Sequence, residues 1–173
     1  MSAITTGVVW IHSTPSALCP HLEWALGGLL GMPVSLDWTP QPVERGSYRA
    51  ELTFRQPLGT AARIASTLAT WGRVRFEVAE DAATTSSGVP TQGHRFSYTP
   101  TLGAHQATMG PHGDVMVHEE QLRAALAAGE QGLAQRVERL LGTAWDAELE
   151  VFRHGGQGAI DNGAGLRWLH RVG

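Results

Sequence analysis

From Val8 to Val78 the apolar residues switch between strand and helix spacing in the order strand, helix, strand, strand, helix, strand. Few folds satisfy that order. Val8 to His12 (VVWIH) is a short continuous apolar run rich in β-branched and aromatic residues, as a buried central strand requires. Pro20 is suited to open a helix, and Leu22, Ala25, Leu26, Leu29 and Leu30 follow at helical spacing before Gly31 and Pro33 stop it. Val34 to Trp38 and Tyr48 to Phe54 both alternate, so they read as an antiparallel pair joined by TPQPVERG. A second helix is expected from about Thr60 to Trp71, buried through Ile64, Leu68 and Trp71, and Val74, Phe76 and Val78 supply a fourth strand. Two helices with one apolar stripe each must lie on one face of such a sheet. The expectation is an α+β protein, a ferredoxin-like βαββαβ sandwich, with Trp10 and Trp71 serving its core.

The second half extends this unit. Residues 82–93 are a polar linker; His94–Thr99, Ala104–Thr108 and Asp114–Val117 read as short strands. A helix opens after His118, its acidic start suited to the positive end of the helix dipole, with Leu122 and Leu126 expected to face inward. A longer helix is expected to carry Leu133, Val137, Leu140, Leu141, Trp145, Leu149 and Phe152. The divisions are therefore 1–81 for the βαββαβ half, 82–93 for the linker, 94–154 for a strand annex with two C-terminal helices, and 155–173 for a Gly-rich tail expected to be flexible.

Composition excludes several classes. The net charge of -3 argues against a nucleic-acid binder, which needs a basic surface. All 13 basic residues are Arg. The single cysteine, Cys19, excludes an intrachain disulfide framework and a CxxC zinc site. No stretch approaches the roughly 18 apolar residues of a membrane span, and the N-terminus lacks the basic and apolar regions of a signal peptide. A cytoplasmic protein without cofactor or metal is expected.

The string HSTPSALCPHLEWALG at 12–27 resembles an actinobacterial family, domain-of-unknown-function family 3145. LDW at 36–38, QP at 41–42, RFEVAED at 75–81, TPTLG at 99–103 and GTAWDAELEVFR at 142–153 continue the resemblance, which runs over about residues 7–153 and leaves the tail outside. It implies a link to fatty-acid (acyl) metabolism by gene neighbourhood alone. It brings no catalytic residues with it.

Three groups of residues are candidate sites. The first is the connection between the first strand and helix, with His12, Ser13, Thr14, Ser16, Cys19 and His21. A helix N-terminus attracts anions and favours a thiolate, and His12 or His21 is a possible base for Cys19; ordinary capping and a packed cysteine explain the same residues. As zinc ligands, His12, Cys19 and His21 match no familiar spacing. Trp24, Trp38 and Trp145 have acidic neighbours and are candidate interface anchors, or half-buried aromatics with satisfied N–H groups. Asp146, Glu148 and Glu150 form an acidic run whose simplest reading is a solvated helix face.

Two functions follow as expectations. One is a non-catalytic binding, regulatory or adaptor protein that docks a protein partner or a small acyl or anionic ligand; the other is a small enzyme acting on an acyl or phosphorylated substrate at the His12–His21 loop. A deep pocket joining that loop to Asp37 or Glu51 favours the enzyme, and a flat aromatic patch favours the adaptor. Neither nucleic acid nor membrane is expected as a partner, and a homodimer fits both functions.

Overall fold

The apolar run at Val8 is the middle of a longer strand, β1 (Ile4–Pro15), around which the sheet is assembled. In the computed structural model, which describes residues 3–154, β1 lies between β3 (Ser47–Pro57) and β4 (Arg75–Glu80). A two-residue β2 (Thr39–Pro40) borders β3, and β5 (Gly93–Thr99), β6 (Gly103–Met109) and β7 (Val115–Met116) continue beyond β4. The order is β2-β3-β1-β4-β5-β6-β7, every pair antiparallel. With five helices among the described residues, the chain is a mixed α/β protein.

Helices α1 (Cys19–Leu30) and α2 (Thr60–Ala69) cover one face. Leu22, Leu26 and Leu30 of α1 and Ile64 and Leu68 of α2 pack with Val9, Ile11, Phe54, Phe76 and Val78 into the main apolar core. Glu80, at the end of β4, accepts hydrogen bonds from the Gly59 and Ala61 amides (2.9 and 3.1 Å) and so satisfies free N–H groups at the start of α2. Side chains alternate along a strand, so Trp10, His12, Arg75 and Glu77 point to the opposite face. Trp71 packs against the core as its spacing implies, whereas Trp10 lines a cavity on that other face.

Three expectations need correction. Val34–Trp38 forms no strand; only Thr39 and Pro40 pair with β3. A side chain has displaced the ladder: Glu23 of α1 accepts from the Leu36 amide (2.7 Å) and the Trp38 ring N–H (3.0 Å). Leu122 and Leu126, on α3 (Glu119–Ala127), are 38% and 62% exposed, and Ala125 is the residue that helix buries. Finally, the long C-terminal helix is two, α4 (Leu133–Leu141) and α5 (Thr143–Arg153), so three helices follow the sheet rather than two. Gly142 separates them at φ 77°, a conformation that glycine adopts without steric cost. The expectation for residues 155–173 lies outside the described residues.

Gly142 also sits against the His105 ring, whose Cε1 lies 2.6 Å from where a Cβ would be. Gly142→Ala is expected to lose about 1–3 kcal/mol in urea unfolding. An unchanged midpoint would mean that the α4–α5 junction tolerates another backbone.

Candidate functional site

His12 sits where β1 loses register with both neighbours, between Ile11 and Thr14 against β3 and between Ile11 and Ser13 against β4. Such a bulge re-aims a side chain. His12 is only 8% exposed, and its Nε2 lies 2.8 Å from a carboxylate oxygen of Glu77.

Glu77 is fully buried on the second face of the sheet, beneath α5. Arg153 of α5 grips it with two hydrogen bonds, Nη2 to Oε1 at 2.6 Å and Nε to Oε2 at 2.9 Å. Arg153 also reaches Asp146 (2.9 Å) and Glu150 (3.0 Å), Asp146 binds Arg95 (3.1 Å), and Glu150 meets His154 (2.9 Å). Beside this group, Glu148 accepts from Thr99 (3.0 Å), and Arg75 lies over the Phe152 ring (4.4 Å) while pairing with Glu44. Asp146 and Glu148 are therefore turned toward Arg95 and Arg75 of the sheet, whereas Glu150 is exposed and pairs with Arg153 and His154 at its own helix end.

Burial alone would raise the Glu77 carboxyl; hydrogen bonds and charges from His12 and Arg153 outweigh it and hold the group at about 2. The same pairing outweighs burial at Arg153 and raises its guanidinium. At Glu44 burial is likewise overcome, by hydrogen bonds from Ser13, Ser47 and Arg75 and by the Arg75 charge, and its carboxyl is lowered.

Beside this lock lies an open cavity of about 550 Å³. Trp10, Ile11 and His12 of β1, Arg49, Ala50 and Glu51 of β3, Asp37 and Thr39 before it, and Phe152, Arg153 and His154 at the end of α5 line it. Gln41, itself buried, ties these walls together: its side-chain NH2 donates to the carbonyls of His12 (2.6 Å) and Phe152 (3.2 Å).

The candidate loop is not a loop. His12, Ser13 and Thr14 are buried strand residues, Ser16–Leu18 form a 3-10 turn, and Cys19 and His21 belong to α1. Of this set only His12 lines the cavity. Ser13 donates to Glu44, Thr14 Oγ1 is buried without a hydrogen-bond partner, and His21 is exposed. Cys19 contacts the Pro15 carbonyl at 3.9 Å, and burial, with the nearby Glu23 charge, raises its thiol despite a backbone hydrogen bond, contrary to the expected thiolate. Among the described residues no group of three or more His, Cys, Asp or Glu is placed to hold a metal ion, and no helix is long and apolar enough to cross a membrane.

The tryptophans separate. Trp24 is 81% exposed on the outer side of α1. Trp38 is half-buried with its N–H on Glu23; Trp145, also half-buried, donates to the Gly103 carbonyl (2.9 Å) and packs on His105. Glu77 escaped sequence reasoning because RFEVAE alternates like a strand with one wet face. The missed signal was the pairing of that charged face with an arginine-bearing acidic helix.

The family model for "Protein of unknown function (DUF3145)" matches residues 8–171, and the chain belongs to that family. The match takes in nearly all of the Gly-rich segment that the motifs alone left outside. No curated protein and no solved structure matches the chain.

The Glu77 carboxyl lies below its usual value of 4.5 in the folded state, so it favours folding above that value. Its contribution, about 3 kcal/mol, is lost as pH falls from about 4.5 to about 2. Urea unfolding across this window is expected to show a steep loss of stability, and Glu77→Gln is expected to flatten it while lowering stability at neutral pH by about 3–5 kcal/mol. An equally steep profile in the variant would assign the acid sensitivity to other carboxylates.

Proposed function

We propose that this member of the DUF3145 family is a non-catalytic binding protein that receives a small ligand in the cavity between β1, β3 and α5. The observation that carries this reading is the cavity's construction. Apolar surface from Trp10 and Phe152 is combined with a few polar groups, one of them the buried His12, which is the usual make-up of a small-molecule site. An acyl chain suits those apolar walls, and on this reading the protein reports on or carries such a ligand in the cytoplasm.

The fold fits the same reading as a ferredoxin-like βαββαβ unit. Support comes from the order β2-β3-β1-β4, with α1 after β1, α2 after β3 and both helices on one face.

The cavity does join His12 to Asp37 and Glu51, the feature expected of an enzyme. The chemistry around it favours binding. Among the described residues its lining includes no Ser or Cys, and the Thr39 hydroxyl is turned to the Arg49 carbonyl. Glu77 is an orienting carboxylate for His12, but the Arg153 fork shares its charge and limits how far it can strengthen a base. For a protein partner, whether another protein or a second copy, the favoured contact is Trp24, a large aromatic left in solvent.

Native mass spectrometry of the full chain purified from its own host tests this reading. A bound small molecule is expected, and Thr39→Trp, which adds bulk at the exposed rim, is expected to lose it with an unchanged melting temperature. Retention of the same molecule by a folded Thr39→Trp would place binding elsewhere.

A further inference from the structure

We propose that residues 166–171 (LRWLHR), from the chain's own C-terminal part, dock over the open side of this cavity. The inference goes beyond the ligand reading and does not depend on it, since a covered cavity can be empty or filled.

The first reason is where the described chain ends. Phe152 and Arg153 finish α5, His154 follows, and all three line the cavity, so the chain leaves the fold at the cavity's own rim. Residues 155–173 continue from that point. A backbone spans at most about 3.3–3.6 Å per residue, so residues 155–165 allow a reach of roughly 36–40 Å. The cavity, about 550 Å³ in volume, lies well within that range. Tethering also raises the local concentration of the segment, so weak contacts suffice to seat it.

The second reason is chemical fit. Leu166, Trp168 and Leu169 with Arg167 and Arg171 make the segment apolar and cationic. The cavity offers the counterpart. Trp10 is half-buried, and Glu51 lies directly across the strand pair from it. Asp37 and Glu51 are both exposed, and no hydrogen bond or ion pair engages their carboxylates among the described residues. The basic groups at the rim do not oppose this, because Arg153 and His154 are paired with Glu77 and Glu150. Burial of Trp168 against the wall would supply the affinity, while the two arginines opposite two acids would select the register.

Two further observations agree. Trp10, Arg49 and Arg153 on the walls are each engaged by a further partner, so the walls are not bare. The family match reaches Arg171, so the pattern common to the family includes this segment, as expected of a part that packs on the fold.

NMR on the full natural chain tests the inference. Through-space contacts between the Trp168 and Trp10 rings are expected, and amides of 166–171 are expected to exchange at least about tenfold more slowly than those of an unstructured chain. Trp168→Ala is expected to shift the Trp10 indole N–H and the His12 and Glu51 amides, and to leave Trp24 and α2 unchanged. In the Asp37→Asn, Glu51→Gln double variant, protection of 166–171 is expected to fall; unchanged protection would overturn the charge complementarity on which the docking is argued. Free exchange of 166–171 with no contact to Trp10 in the natural chain would overturn the docking itself. Contacts found only between differently labelled copies in a mixed sample would put a second molecule's segment there and overturn docking within one chain. None of these results touches the ligand reading, which is decided by whether Thr39→Trp loses the bound molecule.

Discussion

The structure depends on one costly placement, a carboxylate with no solvent contact in the middle of a sheet. An ionised carboxylate cannot be taken from water without several kcal/mol of compensation, and for Glu77 it comes from two directions. His12 approaches from the neighbouring strand, and Arg153 reaches down from α5 with a two-point fork. The fork fixes both the height and the rotation of α5, because a bidentate pair tolerates little change in either. The sheet therefore has two differently built faces. One is closed by leucine, isoleucine, valine and phenylalanine against α1 and α2; the other is closed by α5 through an arginine–carboxylate network with Leu149 buried beside it.

The cavity follows from that second closure. The described part of α5 ends beside β1, with Phe152, Arg153 and His154 at the border of the opening. The Arg153 fork thus also sets one wall of the cavity. His12 belongs to both structures, bonded to the lock through Nε2 and lining the cavity. Gln41 makes the third tie, joining His12 to Phe152 through their carbonyls.

Much of this was legible in the residues. The strand runs at Val8, Tyr48, Val74 and His94 and the helical stripes at Leu22 and Ile64 each bury against the core described, since local pattern and tertiary packing ask for the same thing there. What was illegible depended on contacts remote in sequence. Val34–Trp38 alternates like a strand, yet Glu23 takes its Leu36 amide, and no local pattern announces a side chain thirteen positions away. The helix from Leu133 to Phe152 breaks at Gly142, where a glycine in a helical run can mean either a tolerated gap or a junction. Ser13 and Thr14 resemble a helix cap in sequence, but β1 continues through them. Arg75, Glu77 and Arg95 look like the wet side of a sheet until α5 covers them.

Hydrogen exchange in Glu77→Gln compared with the natural chain, at neutral pH and under conditions where both are folded, tests the central claim most directly. If Glu77 is what holds α5 on the sheet, amides of Thr143–Arg153 lose protection in the variant, while those of α1 and α2, packed on the apolar face, keep theirs. Equal loss across all helices, or none in α5, would contradict the account and leave α5 held by its other contacts, among them Asp146 on Arg95, Glu148 on Thr99 and the buried Leu149.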